Sequence, residues 1–112
     1  MSEIVVVGSF TAKAGMEEEA AAAFEALVEP THGEQGCILY ALHRGAEDPR
    51  RLAFVERWES AELLEAHLAS DHVQAVLAKA PELFDGEGDI VVYEALPGGE
   101  RVKGSLADHA AG

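Results

Sequence analysis

A change of hydrophobic period within one short stretch most constrains the fold of this chain. Over residues 52–58 the side chains alternate, with Leu52, Phe54, Glu56 and Trp58 on one face, which is the period of a β-strand. From Ser60 onward the apolar residues recur at spacings of three and four, which is the period of a helix, and serine is a favourable N-cap. The stretch therefore predicts a strand that runs directly into a helix.

The two histidines of this region, His67 and His72, lie on either side of a second cap. His67 falls on the apolar stripe of the predicted helix, and Ser70-Asp71 interrupts the pattern before it restarts at Val73. On an unbroken helix, two residues five positions apart would point about 140° apart. A kink at Ser70 predicts instead that both imidazoles face one space.

The remaining segments predict an α+β fold with one domain over residues 1–97. Strand patterns cover 3–10, 36–43 and 89–96, and helical patterns cover 16–30 and the two pieces that end near residue 82. The order β-α-β-β-α-β is the ferredoxin-like arrangement, a four-stranded antiparallel sheet with helices on one face. Residues 98–112 are rich in glycine, alanine and charge, so a flexible C-terminal tail is expected.

The first and fourth predicted strands are apolar on both faces, although the helices can cover only one. In the fourth strand Ile90 and Val92 oppose Val91 and Tyr93. The uncovered face is therefore expected to be buried against a second copy of the chain, in a homodimer.

The charge and the cysteine content limit the partners and the compartment. A net charge of −13 over 112 residues argues against nucleic acid and anionic membranes as partners. The lone Cys37 forms no internal disulfide, and the sequence shows neither a signal-peptide pattern nor an apolar run near the ~20 residues of a membrane span. A cytoplasmic protein that binds a small molecule is predicted.

Glu56 is the most informative polar residue, because the alternation places its carboxylate between Phe54 and Trp58 on a buried face. Such a group is costly to bury unless it is protonated, hydrogen-bonded or paired, for instance with His67. A carboxylate–imidazole pair holds one tautomer and leaves the other ring nitrogen as a base. The alternative is that Glu56 is a structural acid, and that Trp58 and His67 fill the core.

Three groups of residues carry a likeness to a known family: 34–40 before and within the second strand, 56–60, and 64–68 with the following His72. With them, residues 4–96 resemble the antibiotic biosynthesis monooxygenase domain family, most closely its quinol monooxygenases. The resemblance implies an oxidoreductase with the dimeric α+β barrel fold and no metal or other cofactor. It also implies a site in which His67, Glu56 and Trp58 are catalytic. The substrate-binding residues would be Phe54, His72, Tyr40 and Phe24.

The expected reaction is the oxygenation of a quinol or related phenol by dioxygen. His67, supported by Glu56, would remove a phenolic proton, and the anion would reduce dioxygen in a dry pocket walled by Trp58, Phe54 and Phe24.

Two alternatives use the same fold. One is an isomerase that moves a proton with the same histidines, and the other is a dimeric small-molecule-binding protein without turnover. A metal site of His67, His72 and Glu56 has acceptable ligand types, but no spacing fixes its geometry and none is predicted. Heme-degrading relatives carry a histidine ligand where this chain has Leu77, so heme is not expected.

Overall fold

The predicted ferredoxin-like architecture is confirmed by a computed structural model, which describes residues 3–106. Within that range the elements are β1 (Ile4–Thr11), α1 (Glu17–His32), β2 (Cys37–Arg44), β3 (Arg51–Trp58), α2 (Ala61–Leu68), α3 (Asp71–Leu83) and β4 (Asp89–Tyr93). The strands form one antiparallel sheet in the order β2-β3-β1-β4. The helices lie on one of its faces, so the two faces of the sheet have different surroundings.

The element boundaries differ from the predicted ones at two places. Pro30 does not end α1, which continues to His32 before Gly33 caps it. The fourth strand ends at Tyr93 instead of Leu96, because Tyr93 pairs with Val5 and β1 begins only one residue before Val5. Leu96 therefore has no strand to pair with and is 91% exposed.

The break between α2 and α3 occurs at the predicted cap. The Ser60 hydroxyl accepts a hydrogen bond from the backbone of Leu63 at the start of α2, and the Ser70 hydroxyl accepts one from Val73 at the start of α3. Each cap satisfies a backbone N–H that has no partner within its helix. The chain therefore turns at Ser70 and begins a second helix.

Phenylalanine rings join the sheet to α1 in the core. The ring of Phe24 on α1 lies 5.0 Å from that of Phe10, 4.9 Å from that of Phe54 and 4.8 Å from that of Phe84, measured between centroids. Phe10 and Phe54 come from the helix-facing sides of β1 and β3, as the alternation predicts. This cluster fixes α1 over the centre of the sheet.

The other face of the sheet is apolar and no helix of the described range covers it. Val7 pairs with Val55 on one side and with Val91 on the other, and these three side chains are half-buried. Arg57 on this face forms an ion pair with Glu3 and donates a hydrogen bond to the backbone carbonyl of Leu106. The homodimer predicted for this face stays a prediction.

The predicted tail, 98–112, lies partly outside the described residues, because the description ends at residue 106. Its described part forms a turn in which the backbone N–H of Gly104 donates to the carbonyl of Glu100. No helix in the part of the chain that the structure describes is long and apolar enough to cross a bilayer.

Candidate active site

A cleft of about 850 Å³ opens between the helix-facing side of the sheet, α1, α3 and the loop before β4. Its walls are mainly apolar and include Phe24, Phe54 and Leu77. Three adjoining polar side chains interrupt this lining: Tyr40, Glu56 and His67. A large apolar cleft with a few convergent polar groups is the usual form of a small-molecule site.

Glu56 is held in the cleft wall by Trp58, two residues further along β3. The indole Nε1–H of Trp58 donates to Oε1 of Glu56 over 2.8 Å, and the two residues are 0% and 7% exposed. Burial raises the pKa of Glu56 to about 7; the hydrogen bond from Trp58 opposes this rise and the charge of Glu34 adds to it. The carboxyl group can therefore hold or release a proton near neutral pH, as a catalytic acid must.

His67 has a carboxylate partner, but it is Glu34 and not the Glu56 that the sequence suggested. Its Nδ1 lies 2.9 Å from Oε2 of Glu34, while the described contacts of Glu56 include the indole of Trp58. The expected pairing of Glu56 with His67 is therefore replaced by two separate pairs. The physical reason is that Trp58 lies on the same strand face as Glu56 and reaches its carboxylate first.

Glu34 reaches His67 because the bend between α1 and β2 comes very close to α2. Gly36 in this bend has a φ of +87°, and a Cβ built on it would lie 2.5 Å from Cδ1 of Leu63. Only glycine tolerates both the backbone conformation and this approach. The signal that sequence reasoning missed was therefore a glycine two residues after an acid, at the start of β2.

His72 meets the same carboxylate, so the predicted convergence of the two histidines is confirmed. Its Nε2 lies 2.6 Å from Oε2 of Glu34, and 3.3 Å from the hydroxyl oxygens of Thr31 and Ser70. The ring centroids of His67 and His72 are 6.1 Å apart. Unlike His67, His72 is not among the residues that line the cleft.

The hydrogen bonds assign the tautomers of both imidazoles. The Ser70 hydroxyl donates to the backbone carbonyl of His67 over 2.6 Å, so towards His72 it can only accept. Nε2 of His72 therefore carries a proton, and Nδ1 of His67 donates to the Glu34 carboxylate. In the neutral imidazole this leaves the lone pair on Nε2 of His67, for which the described residues provide no hydrogen-bond partner, and His67 is one of the residues that line the cleft.

Of the predicted site residues, five line the cleft: Phe24, Tyr40, Phe54, Glu56 and His67. Trp58 and His72 stand behind this lining, where each holds a carboxylate. The ring of Tyr40 stacks on Phe54 at 4.6 Å and meets the edge of His67 at 5.2 Å. Burial, followed by the charge of Glu56, raises the pKa of Tyr40 above its usual range, so its hydroxyl stays protonated at neutral pH.

One cluster in the described range has metal-ligand chemistry. It comprises Glu34, His67 and His72, whose candidate ligand atoms all lie within 4.8 Å of one another. The set weighed from the sequence named Glu56 as the carboxylate, and the structure places Glu34 there instead.

Two known proteins are similar in sequence to this chain over most of its length. Over 91 residues the chain is 28% identical to an uncharacterized Synechocystis protein. The aligned region makes up 81% of this chain but only 62% of that protein. It is 30% identical over 95 residues to a Mycobacterium tuberculosis protein named "Putative monooxygenase", covering 85% of this chain and 93% of that protein.

Solved structures agree with these sequence relatives. A crystal structure of a Shewanella oneidensis protein is 34% identical, covers 82% of this chain and 89% of its own, and superposes with a TM-score of 0.78. Another solved structure, of a Mycobacterium tuberculosis protein, is 26% identical to this chain and superposes with a TM-score of 0.81. The match covers 88% of this chain and 100% of that one. Residues 3–79 match the family described as Antibiotic biosynthesis monooxygenase. Because that match spans more than half of the 112 residues, the chain belongs to the antibiotic biosynthesis monooxygenase family.

Proposed function

We propose that this protein is a cofactor-independent monooxygenase that acts on a quinol or another small phenol. The observation that carries the proposal is the arrangement of His67. Its Nδ1 is bonded to Glu34, and its ring lines an apolar cleft beside Glu56. An imidazole whose tautomer is fixed by a carboxylate is a suitable general base for a phenolic proton.

The first step is removal of a phenolic proton by Nε2 of His67. The resulting imidazolium is stabilised by the carboxylate of Glu34, which already accepts from Nδ1 over 2.9 Å. The phenolate is far more electron-rich than the phenol, and it reduces dioxygen directly. Apolar walls such as Phe24 and Phe54 exclude water and so protect the reduced intermediates.

The electrons balance without a cofactor. Oxidation of a quinol to a quinone releases two electrons, and hydroxylation of one ring carbon releases two more. These four electrons reduce dioxygen to one hydroxyl oxygen in the product and one molecule of water. The water receives both of its protons from the substrate. Glu56, whose pKa is about 7, relays one of them to the departing oxygen, and Trp58 acts only by holding Glu56 in place.

The same proposal includes a homodimer and a cytoplasmic location. The uncovered sheet face around Val55 is apolar over three adjoining strands, and a second copy of the same face would bury it. The single cysteine suits a reducing compartment. The tail that begins at residue 98 is proposed to lie outside the catalytic domain.

The test is oxygen uptake with menadiol, corrected for autoxidation. Native protein should accelerate uptake, and His67→Ala should lower the rate about 100-fold or more, because a general base contributes at least that much. Glu34→Gln should lower the rate and shift its pH profile, because Glu34 acts through the imidazole. Glu65→Gln, on the exposed side of α2 and outside the cleft lining, is the control. Native uptake no faster than autoxidation would refute the proposal.

Two further measurements separate the alternatives. A product formed from a candidate substrate without oxygen would indicate an isomerase that uses the same base. Thermal stabilisation by a quinone or quinol without any product would indicate a binding protein.

A further inference from the structure

Glu34, His67 and His72 come from three different parts of the fold and meet at one point. Glu34 lies in the bend before β2, His67 on α2 and His72 in the first turn of α3. Oε2 of Glu34 lies 2.9 Å from Nδ1 of His67 and 2.6 Å from Nε2 of His72. We propose that these three side chains bind a divalent transition-metal ion of the zinc class, and that the bound ion switches off the base.

Two side chains must adjust to admit the ion. Tetrahedral zinc has nitrogen and oxygen ligands at about 2.0–2.1 Å, which places the ligand atoms about 3.3 Å from one another. All three candidate ligand atoms lie within 4.8 Å of one another. Oε2 of Glu34 must therefore move away from each imidazole by about half an ångström or slightly more, and the two imidazole nitrogens must come closer together. The side chains of Glu34 and His72 are 18% and 26% accessible, so these two can move towards the ion, whereas the buried His67 stays in place.

The ligand types determine which ions fit. Two imidazole nitrogens and one carboxylate oxygen favour zinc, cobalt, nickel and copper over magnesium and calcium, which prefer all-oxygen sites. A water molecule would take the fourth position. The hydroxyl oxygens of Thr31 and Ser70, each 3.3 Å from Nε2 of His72, are placed to accept hydrogen bonds from that water.

Metal binding and base catalysis exclude each other at His67. In the hydrogen-bonded state Nδ1 carries the proton and Nε2 offers its lone pair to the cleft. When Nδ1 coordinates a metal, the same proton must lie on Nε2, because a neutral imidazole carries only one. The nitrogen that faces the cleft then becomes a donor and cannot accept a phenolic proton. The inhibitory part of this inference rests on the proposed function, whereas the metal site itself does not.

The binding test is a titration of the full chain, freed of metal by chelation, with cobalt(II). Visible absorption should show one tetrahedral cobalt site per chain, and zinc should displace the cobalt whereas magnesium and calcium should not. Glu34→Gln and His72→Gln should each abolish the site, and Glu65→Gln should keep it. Nitrogen-15 spectra of the native imidazoles on zinc addition identify the ligands without any substitution, in case a variant fails to fold.

Activity provides the second and independent measurement. Zinc should lower quinol-dependent oxygen uptake about 100-fold, the contribution of the base, and chelator should restore it. In His72→Gln the rate should no longer respond to zinc. Absence of cobalt binding, or equal binding by Glu34→Gln, overturns the site whatever the activity. Binding that leaves uptake unchanged overturns the switch. If native protein binds cobalt but shows no quinol-dependent oxygen uptake, the metal site is supported. The proposed function and the proposed switch are then both refuted.

Discussion

Replacement of Glu56 by glutamine should change how the free energy of unfolding depends on pH. The pKa of this buried carboxyl is about 7 in the folded protein, against an ordinary value of 4.5. Between these two pH values the folded chain keeps a proton that the unfolded chain has released. The contribution of this proton to the free energy of unfolding is therefore complete below pH 4.5 and is lost as the pH rises to 7. The free energy of unfolding falls by about 1.4 kcal/mol per pH unit over this range, which amounts to about 3 kcal/mol in all.

The glutamine variant should not show this loss. An amide oxygen can still accept the 2.8 Å hydrogen bond from Trp58, but the amide has no proton to release. Relative to native protein, Glu56→Gln should therefore become more stable by about 3 kcal/mol between pH 4.5 and pH 8. Any constant effect of the new NH₂ group cancels when the two pH values are compared.

The assay is urea unfolding followed by circular dichroism at intervals from pH 4.5 to 8.5. Glu65→Gln removes the same charge from the exposed face of α2 and is the matched control, for which the stability curve should stay parallel to the native one. If the curve of Glu56→Gln is also parallel to that of native protein, Glu56 does not keep its proton in the fold. Its assignment as an acid poised near neutrality would then be wrong.

Three further predictions concern other parts of the structure. Trp58→Phe removes the donor to Glu56, so it should lower the free energy of unfolding by about 1–3 kcal/mol. It should also move the pH-dependent step in stability to higher pH, and an unchanged midpoint of that step would contradict the hydrogen bond. Gly36→Ala brings a Cβ to 2.5 Å from Leu63 at a φ of +87°. It should lower the free energy of unfolding in urea by about 1–3 kcal/mol and reduce oxygen uptake. A variant as stable as native protein would show that the bend is less tightly packed. Val55→Asp places a charge on the uncovered sheet face, and sedimentation should then show single chains where native protein forms dimers; a monomeric native protein would refute the dimer.

The fold was predictable because its signals are local. Alternation over residues 52–58 and the caps at Ser60 and Ser70 specify a strand and two helices from neighbouring residues alone. The end of β4 was not predictable in this way. It depends on where β1 begins, which is a property of the pairing register and not of the apolar run 89–96 itself.

The site was predictable only in part, for the same reason. The burial of Glu56 follows from its position between Phe54 and Trp58, and the indole two residues away was visible in the sequence. The pairing of Glu34 with His67 was not, because 33 positions separate them and no periodicity connects them. It arises only when the bend before β2 packs against α2.

The two carboxylates of the site are therefore positioned by independent parts of the fold. Glu56 accepts a hydrogen bond from Trp58 on the same central strand, so its position is as rigid as the sheet. Glu34 depends on a glycine bend and on the junction of two helices, so its position changes whenever these elements separate. If His67 is the general base that we propose, movement of the bend or binding of a metal there would switch that base. Either event would also weaken the effect of the Glu34 charge, which helps to raise the pKa of Glu56. The positions of the two carboxylates are therefore independent, whereas their charges are coupled.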